Sequence, residues 1–300
     1  MVRTHSATTE NAYRPSHTSR TSREPFWSGK SLQLLLRYLI IAIAAICSLF
    51  PLFWVVVTSL LTPQSAADVT PHVIPDWQWS NYVKAWSVAP WAQYFLNSIF
   101  ISLCTVILAL ITSLLAGYAF GTMKFPGRQA LFLLILGLIM IPSEATLIPS
   151  YLIVSTLGWI NTYQVQIIPF GVSISGIFLL RQFFLSLPTS MWEAAQLDGC
   201  TRFTFLWRIA APLARPALAV VALQVFISSW NAFLWPYLVT NTDALRPVEV
   251  GLQTFVSGEG GTDPTGLAAA ATFTTLPVLI VFLIAQRQFI EGISAGSAKG

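Results

Sequence analysis

Residues 85–123, AWSVAPWAQYFLNSIFISLCTVILALITSLLAGYAFGTM, contain no Asp, Glu, Lys or Arg. Four further stretches also lack these charges, at residues 38–67, 145–180, 216–242 and 264–286. A helix that crosses a bilayer needs about 20 mostly apolar residues, and each stretch is long enough. Over the whole chain 9% of residues are charged, whereas soluble domains average about 25%. The composition excludes an ordinary soluble enzyme, a disordered chain and a disulfide scaffold, and it predicts an all-α polytopic membrane protein.

The apolar runs predict six transmembrane helices. We place them at residues 35–61, 96–121, 130–150, 164–186, 214–240 and 265–286. The runs are continuous, whereas the strands of an outer-membrane barrel alternate apolar and polar residues, so helices are favoured. Gly158, Asn161 and Thr162 mark a turn between the third and fourth spans.

The chain divides into a membrane domain and two tails. Residues 1–34 are polar at first and lack the apolar core of a signal peptide, so we expect a disordered cytoplasmic tail there. Residues 35–290 form the predicted membrane domain, which includes an inner loop at 187–216. Residues 291–300 form a predicted C-terminal cytoplasmic tail.

The basic residues set the predicted orientation. If the N-terminus is cytoplasmic, only Lys84 and Arg246 of the 16 Lys and Arg residues fall outside. Cytoplasmic loops carry the excess of basic charge, so both termini are predicted inside. The same rule accounts for the net charge of +4 without nucleic acid. Tryptophans in the first outer loop (62–95), together with Trp230 and Trp235, are expected to anchor at the bilayer interface; a docking surface for an external partner on that loop is the alternative.

The sequence predicts no catalytic site and no bound metal or cofactor. It has no HExxH, no GxSxG and no Cys/His cluster. Ser28, Gly29, Lys30 and Ser31 match the end of a phosphate-binding loop, but the first glycine of that motif is replaced by Glu24. We therefore expect ATP to be bound by another chain.

The inner loop at residues 187–216 has the pattern of two short helices. Ser190 and Glu193 have the spacing of a capping box at the start of the first. Gly199 is suited to the left-handed conformation that ends it. A second helix is predicted at 201–210. Glu193 is either half of the capping box or a charge presented to a basic groove on another subunit. The small side chains of Ala194 and Ala195 favour the second reading, because they let a helix pack closely in a partner's cleft.

This loop resembles the EAA loop of binding-protein-dependent ATP-binding-cassette importers. The family pattern is Glu-Ala-Ala, three residues, Gly, and later an apolar residue followed by Leu-Pro. The sequence departs from it at Ala211-Pro212, where the family has Leu-Pro. Residues 124–128 (KFPGR) and 230–236 (WNAFLWP) resemble other segments of the carbohydrate subgroup. The residues that the resemblance assigns to coupling with an ATPase are Glu193, Ala194, Ala195, Asp198, Gly199, Arg202 and Pro212.

The resemblance implies a permease subunit for a sugar or sugar-like solute, such as a di- or oligosaccharide, a polyol or glycerol-3-phosphate. It implies a second permease, giving a heterodimer, together with two ATPase subunits that hold ATP and Mg²⁺. An external solute-binding protein would deliver the solute at the cytoplasmic membrane. A self-contained secondary transporter is the alternative, although the chain lacks the clear internal repeat of such proteins. A membrane-embedded enzyme would need a catalytic constellation that the sequence lacks.

Four polar residues inside the spans are candidates for a solute pathway. They are Glu144, Asn231, Ser229 and Asn97. Charges within a membrane are costly and are often functional. Glu144 has the alternative of reaching water at the outer interface, and hydrogen bonds between helices explain most polar residues of this kind. In the best-understood sugar importers of this type the partner permease holds most of the sugar site, so this chain is not required to hold any. Gly117 and Gly121 have the GxxxG spacing of close helix packing.

Overall fold

The computed structural model describes the backbone of residues 29–256 and 262–297, and the side chains of 32–256 and 262–286. All regular elements within these ranges are helical, which confirms the all-α prediction. Contacts divide the chain into two units, Met1–Pro51 and Leu52–Gly300. Most of the predicted N-terminal tail, residues 1–28, lies outside the described part.

The α-helices are α1 (Gly29–Ser59), α2 (Pro63–Ala67), α3 (Ser80–Val88), α4 (Trp91–Thr122), α5 (Arg128–Gly137), α6 (Ser143–Thr156), α7 (Tyr163–Ile167), α8 (Ile174–Leu185), α9 (Thr189–Leu197), α10 (Arg202–Phe205), α11 (Ala211–Leu213), α12 (Arg215–Trp230), α13 (Leu234–Val239), α14 (Val248–Gly251) and α15 (Pro264–Ser297). Short 3₁₀ turns occupy Leu138–Met140, Ile168–Phe170, Asp243–Leu245 and Leu252–Phe255, and a π-turn occupies Leu206–Ala210. The predicted boundaries at residues 34 and 290 both fall inside helices, because a helix continues beyond its apolar part.

Among the described residues, four segments are long and apolar enough to cross a membrane, and the number rises to six if each of two bent helix pairs is one span. The four segments are Leu32–Ser59, Trp91–Thr122, Tyr163–Leu185 and Pro264–Gln286. The bent pairs are Arg128–Met140 with Ser143–Thr156, at 99°, and Arg202–Leu213 with Arg215–Trp230, at 79°. The third predicted span is therefore not a straight helix, whereas the bend of the second pair lies at residue 214, where the fifth predicted span begins.

Prolines stand at two of the helix breaks, and a proline has no N–H for the helical ladder. Pro142 stands between the 3₁₀ turn after α5 and the start of α6. Pro169 lies in the 3₁₀ turn after α7, and Gly171 follows that turn, so the fourth span is interrupted before α8 begins. In the fifth span, α12 ends at Trp230 and α13 resumes at Leu234. The uninterrupted helix that we predicted over residues 214–240 is wrong.

The helix α4 is the centre of the second unit and packs against α8 and α12. A Cβ built on Gly117 would lie 2.8 Å from the Cβ of Leu180, and one on Gly121 would lie 2.9 Å from the Cβ of Phe184. Side chains larger than hydrogen would force α4 and α8 apart. The close packing predicted from the GxxxG spacing is confirmed.

Three tryptophans predicted at the interface are buried instead. Trp91 and Trp230 are 1% exposed, and Trp235 is 8% exposed. Each indole N–H donates to an internal carbonyl, of Ala85, Thr274 and Val165 respectively. Because these polar groups are satisfied inside the protein, the side chains do not need headgroups or water. Trp77 and Trp79, at 63% and 62% exposed, remain available for the surface role.

Candidate functional site

The inner-loop helix α9 begins two residues earlier than the sequence predicts, since its N-cap is Pro188 and not Ser190. Pro188 takes the N-cap position with an extended backbone, and no side chain caps the helix. Ser190 therefore already lies inside the first turn, and the predicted capping box between Ser190 and Glu193 is wrong. The pyrrolidine ring of Pro188 has its φ fixed and needs no N–H partner at this position. Glu193 is exposed and takes no part in capping the start of α9.

The other end of α9 is closed by Gly199, as predicted. Its φ is +72°, in the left-handed region. The N–H of Cys200 donates to the carbonyl of Ala195 at 2.9 Å, and the N–H of Gly199 donates to the carbonyl of Gln196 at 3.0 Å. This pair of bonds is the Schellman motif, which satisfies the last carbonyls of a helix and turns the chain sharply.

The second half of the loop differs in form from the predicted helix at 201–210. Thr201 caps α10 by accepting a hydrogen bond from the N–H of Thr204. The chain then passes through the π-turn into α11, which contains Pro212. Ala195, Phe205 and other buried loop residues share one apolar cluster with Leu180 of α8. The loop is therefore held firmly against the membrane helices rather than hanging from them.

The loop exposes three large apolar side chains together with charged ones, which include Glu193, Asp198 and Arg208. Leu197 is 91% exposed and Phe203 is 68% exposed, and Trp207 is also exposed. Glu193 and Ala194 are exposed as well, and their spacing of four and three residues from Leu197 places them on the same face of α9. Exposed large apolar side chains accompanied by polar ones are typical of interaction sites. Hereafter we call these residues the loop surface.

Four further residues that the resemblance assigns to coupling differ from Glu193 in burial or in the contacts they make. Ala195 is 6% exposed and packs inward, so its small size serves the internal cluster. Asp198 is the exposed C-cap of α9. The guanidinium carbon of Arg202 lies 4.9 Å from the ring centroid of Trp192, a cation–π contact. Pro212 is exposed within α11.

A cavity of about 300 Å³ lies between the membrane helices. We call it the polar cavity, and its polar lining includes Gln166, Ser175, Gln224, Ser228 and Ser229. Of the four pathway candidates predicted from the sequence, Ser229 alone is among the residues that line this cavity. Sequence reasoning missed both glutamines, although Pro169 and Gly171 in an otherwise apolar run were the signal of an interrupted helix.

A second cavity, of about 360 Å³, adjoins the first and is lined by Glu144. We call it the Glu144 cavity; it shares Pro169, Phe170 and Ala232 with the polar cavity. Glu144 is exposed and accepts a hydrogen bond from the hydroxyl of Ser143 at 3.1 Å. An acid therefore stands beside a neutral polar chamber.

The two asparagines among the candidates are placed elsewhere. Asn97 is 1% exposed, and its amide donates to the carbonyls of Ala244 and Arg246. Its oxygen accepts hydrogen bonds from Gln93 and Tyr163. Asn97 thus joins α4 to the segment around Arg246, and we do not include it in the proposed pathway. Asn231 is the exposed C-cap of α12 and lines neither cavity.

Comparison with known proteins identifies a single family. The family described as "Binding-protein-dependent transport system inner membrane component" matches residues 113–294. An arabinooligosaccharides transport system permease protein of Bacillus subtilis (strain 168) is 34% identical over 260 residues, covering 84% of this chain and 91% of that protein. An sn-glycerol-3-phosphate transport system permease protein of Yersinia enterocolitica is 30% identical over 264 residues, covering 85% and 94% respectively.

A solved structure has the same fold. It is the crystal structure of a bacterial ABC transporter involved in the import of the acidic polysaccharide alginate. The matched chain has a TM-score of 0.76 and 24% identity, and the match covers 89% of this chain and 100% of that one. At this identity the likeness establishes the fold alone.

Proposed function

The chain belongs to the family of binding-protein-dependent transport system inner membrane components, and from this premise we propose that it imports a sugar or sugar-like solute as one permease half of an ATP-driven transporter. It is a transport subunit of the carbohydrate group rather than an enzyme, as its relatives are. The partners in the proposal are a second, different permease, two ATPase subunits that hold ATP and Mg²⁺, and an external solute-binding protein.

The loop surface is the observation that carries the coupling part of the proposal. An exposed leucine and phenylalanine are unfavourable in water, so a protein surface that covers them gains apolar burial. Glu193 beside them supplies a charge for a basic residue of an ATPase. Because the loop shares its apolar cluster with α8, a push on α9 is passed directly to the membrane helices.

The proposed orientation places the loop surface in the cytoplasm, together with both termini. Lys124, Arg128 and Arg202 line one cavity beside Glu193. Three cations at one end of the second unit agree with the excess of basic charge on cytoplasmic faces. The ATPases are then on the side where ATP is found.

The solute is proposed only as a class. The relatives are named for an arabino-oligosaccharide and for sn-glycerol-3-phosphate, and the solved structure for alginate. These three are the probes to test in the first instance, since they differ in length and charge. Uptake should be measured in proteoliposomes that contain the co-purified complex, with and without ATP.

The decisive variant is Glu193→Ala. The matched control is Gln182→Ala, because Gln182 is an exposed polar residue of α8 that lies outside the loop. We expect Glu193→Ala to leave the permease in the membrane but to separate ATP hydrolysis from uptake, so that solute moved per ATP falls at least tenfold. Gln182→Ala should keep the wild-type ratio. Normal coupling in Glu193→Ala would contradict the role proposed for Glu193. Uptake by the chain alone without ATP would contradict the ATP-driven importer and favour a secondary transporter.

A further inference from the structure

We infer that this chain carries its own solute-binding subsite, in the polar cavity, for the hydroxyl groups of an uncharged sugar or polyol. The inference rests on the proposed function and adds to it which permease half contacts the solute, and which chemical class fits. It assigns a solute role to Gln166, Ser175, Gln224 and Ser228.

Two helix interruptions meet at the polar cavity. One is the 3₁₀ turn Ile168–Phe170 with the residues up to Ser173, and the other is the gap between α12 and α13 around Ala232. Backbone groups outside a helix are tolerated at membrane depth only where they are buried in protein or line a polar cavity. Broken helices of this kind form solute sites in other transporter folds.

The cavity wall presents hydroxyl and amide groups from two helices. Ser175 stands in the first turn of α8, and its hydroxyl donates to the side-chain oxygen of Gln224 at 3.3 Å. Gln224 and Ser228 are four residues apart on α12, so both project from the same face. Both side chains are exposed in the chain and line the cavity. Groups that both donate and accept match the hydroxyls of a sugar.

Gln166 supplies an independent indication of a ligand. It is 3% exposed, and its amide N–H donates to the carbonyl of Leu245 at 3.1 Å. Its side-chain oxygen is buried and has no hydrogen-bond partner among the described residues. Buried acceptors are normally satisfied, and leaving one unpaired is costly. Since Gln166 lines the cavity, a sugar hydroxyl placed there would donate to this oxygen.

The charges favour a neutral solute. The lining of the polar cavity has no Lys, Arg, Asp or Glu among the described residues, while Glu144 stands in the adjoining cavity. An anion such as a phosphate or a uronate would lose its hydration here without gaining a cation, and it would approach a carboxylate. Ligand sites span roughly 300–1,000 Å³, so a cavity of about 300 Å³ admits part of an oligosaccharide.

The test is equilibrium binding of tritiated arabinotriose and maltotriose to the purified complex in detergent, without the external binding protein. We expect saturable binding of a neutral trisaccharide, and about tenfold weaker binding in both Gln224→Leu and Ser228→Ala, because each removes hydrogen bonds to the solute. The matched control is Ser102→Ala, since Ser102 is a fully buried serine of α4 that does not line the cavity. It should bind as the wild type does. Excess sn-glycerol-3-phosphate should not compete.

Absence of saturable binding, or binding that neither variant weakens, would overturn the inference, the latter by placing the sugar in the partner permease. Equal competition by sn-glycerol-3-phosphate would overturn the preference for a neutral solute. These outcomes leave the proposed function intact, because that function is judged separately by the co-purified ATPase and by the Glu193→Ala coupling ratio. Gel filtration of each variant complex shows whether it has assembled, and Ser228→Ala removes a single exposed hydroxyl.

Discussion

Gly199 shows how one residue can be required by backbone conformation alone. A Cβ at this position would meet nothing within 4 Å, so space is not the constraint, whereas the φ of +72° is. Left-handed backbone costs a residue with a Cβ about 1–2 kcal/mol, and asparagine tolerates it better. The sharp turn after α9 positions the loop surface. A substitution that strains this turn is therefore expected to weaken docking of the loop to the ATPase.

We predict that Gly199→Val and Gly199→Ala reduce the amount of ATPase recovered with the tagged chain by about five- to thirtyfold when the ATPase is limiting. This factor corresponds to a cost of about 1–2 kcal/mol for the left-handed backbone. Gly199→Asn should lose clearly less, because it can keep the left-handed turn. The measurement is quantitative co-purification in mild detergent. Equal losses in the alanine and asparagine variants would show that the backbone conformation is not what matters.

Glu249 gives a prediction of pH dependence at the same scale. It lies in α14, in the segment between the fifth and sixth predicted spans, and burial raises its pKa above the ordinary value of 4.5. The folded protein therefore favours the protonated form, and stability is lost as pH rises through 4.5 and above. Glu249→Gln should be more stable than wild type at pH 7, with the difference vanishing in acid.

Thermal unfolding of the purified complex across that pH range measures the Glu249 effect. The wild type well below pH 4.5 serves as the internal control, because there the carboxyl is protonated in both folded and unfolded chains. A variant that melts below wild type at pH 7 would contradict the prediction. It would show that a cationic group from another subunit satisfies this carboxylate.

At the scale of elements, the contact between α4 and α8 depends on two glycines. A methyl group on Gly117 or Gly121 meets a Cβ of the facing helix at under 3.0 Å, and such a contact cannot be relieved by turning a side chain. Overpacking of this kind costs about 1–3 kcal/mol. We expect Gly117→Ala and Gly121→Ala each to lower the melting temperature of the complex.

Gly137→Ala is the matched control for the helix contact. Gly137 is also a helical glycine, but nothing lies within 4 Å of a Cβ placed there. It should be neutral or slightly stabilising, because alanine is the better helix former by about 1 kcal/mol. If Gly137→Ala destabilises as much as Gly117→Ala, the effect belongs to glycine replacement in general and not to the contact.

The elements also show what the sequence could predict. Charge-free runs located the apolar segments, since insertion into a bilayer depends on composition. GxxxG spacing and Gly199 were also predicted correctly, because each rests on a local property of glycine. The breaks around Phe170 and Ala232 were not predicted, since periodicity cannot separate one long helix from two short ones that surround a cavity. Pro188 replaced Ser190 at the start of α9 because both residues suit a helix start and only packing decides between them.

At the scale of the whole molecule, apolar side chains cover much of the outside. Leu133, Leu134 and Ile139 of the third span, and Leu283 and Ile284 of α15, are each more than half exposed. Such a surface is stable only against lipid or another apolar chain. Polar side chains line the internal cavities instead, and on the loop surface charged residues accompany the exposed apolar ones. This distribution is expected of a permease half, whose outside faces lipid and a partner while its inside faces solute.

The orientation in the membrane yields the last prediction. Ser87 in α3 and Gln129 in α5 are both exposed, and between them the chain contains one long apolar helix, α4. Lys124 and Arg128 follow α4, so the C-terminal end of α4 is expected on the cytoplasmic side.

In a chain with its native cysteines replaced by alanine, we expect a membrane-impermeant maleimide to label Ser87→Cys in intact cells. Gln129→Cys should be labelled only after the membrane is opened. Labelling of Gln129→Cys alone in intact cells would invert the topology and place the loop surface away from ATP, while equal labelling of both would mean that α4 does not cross the bilayer.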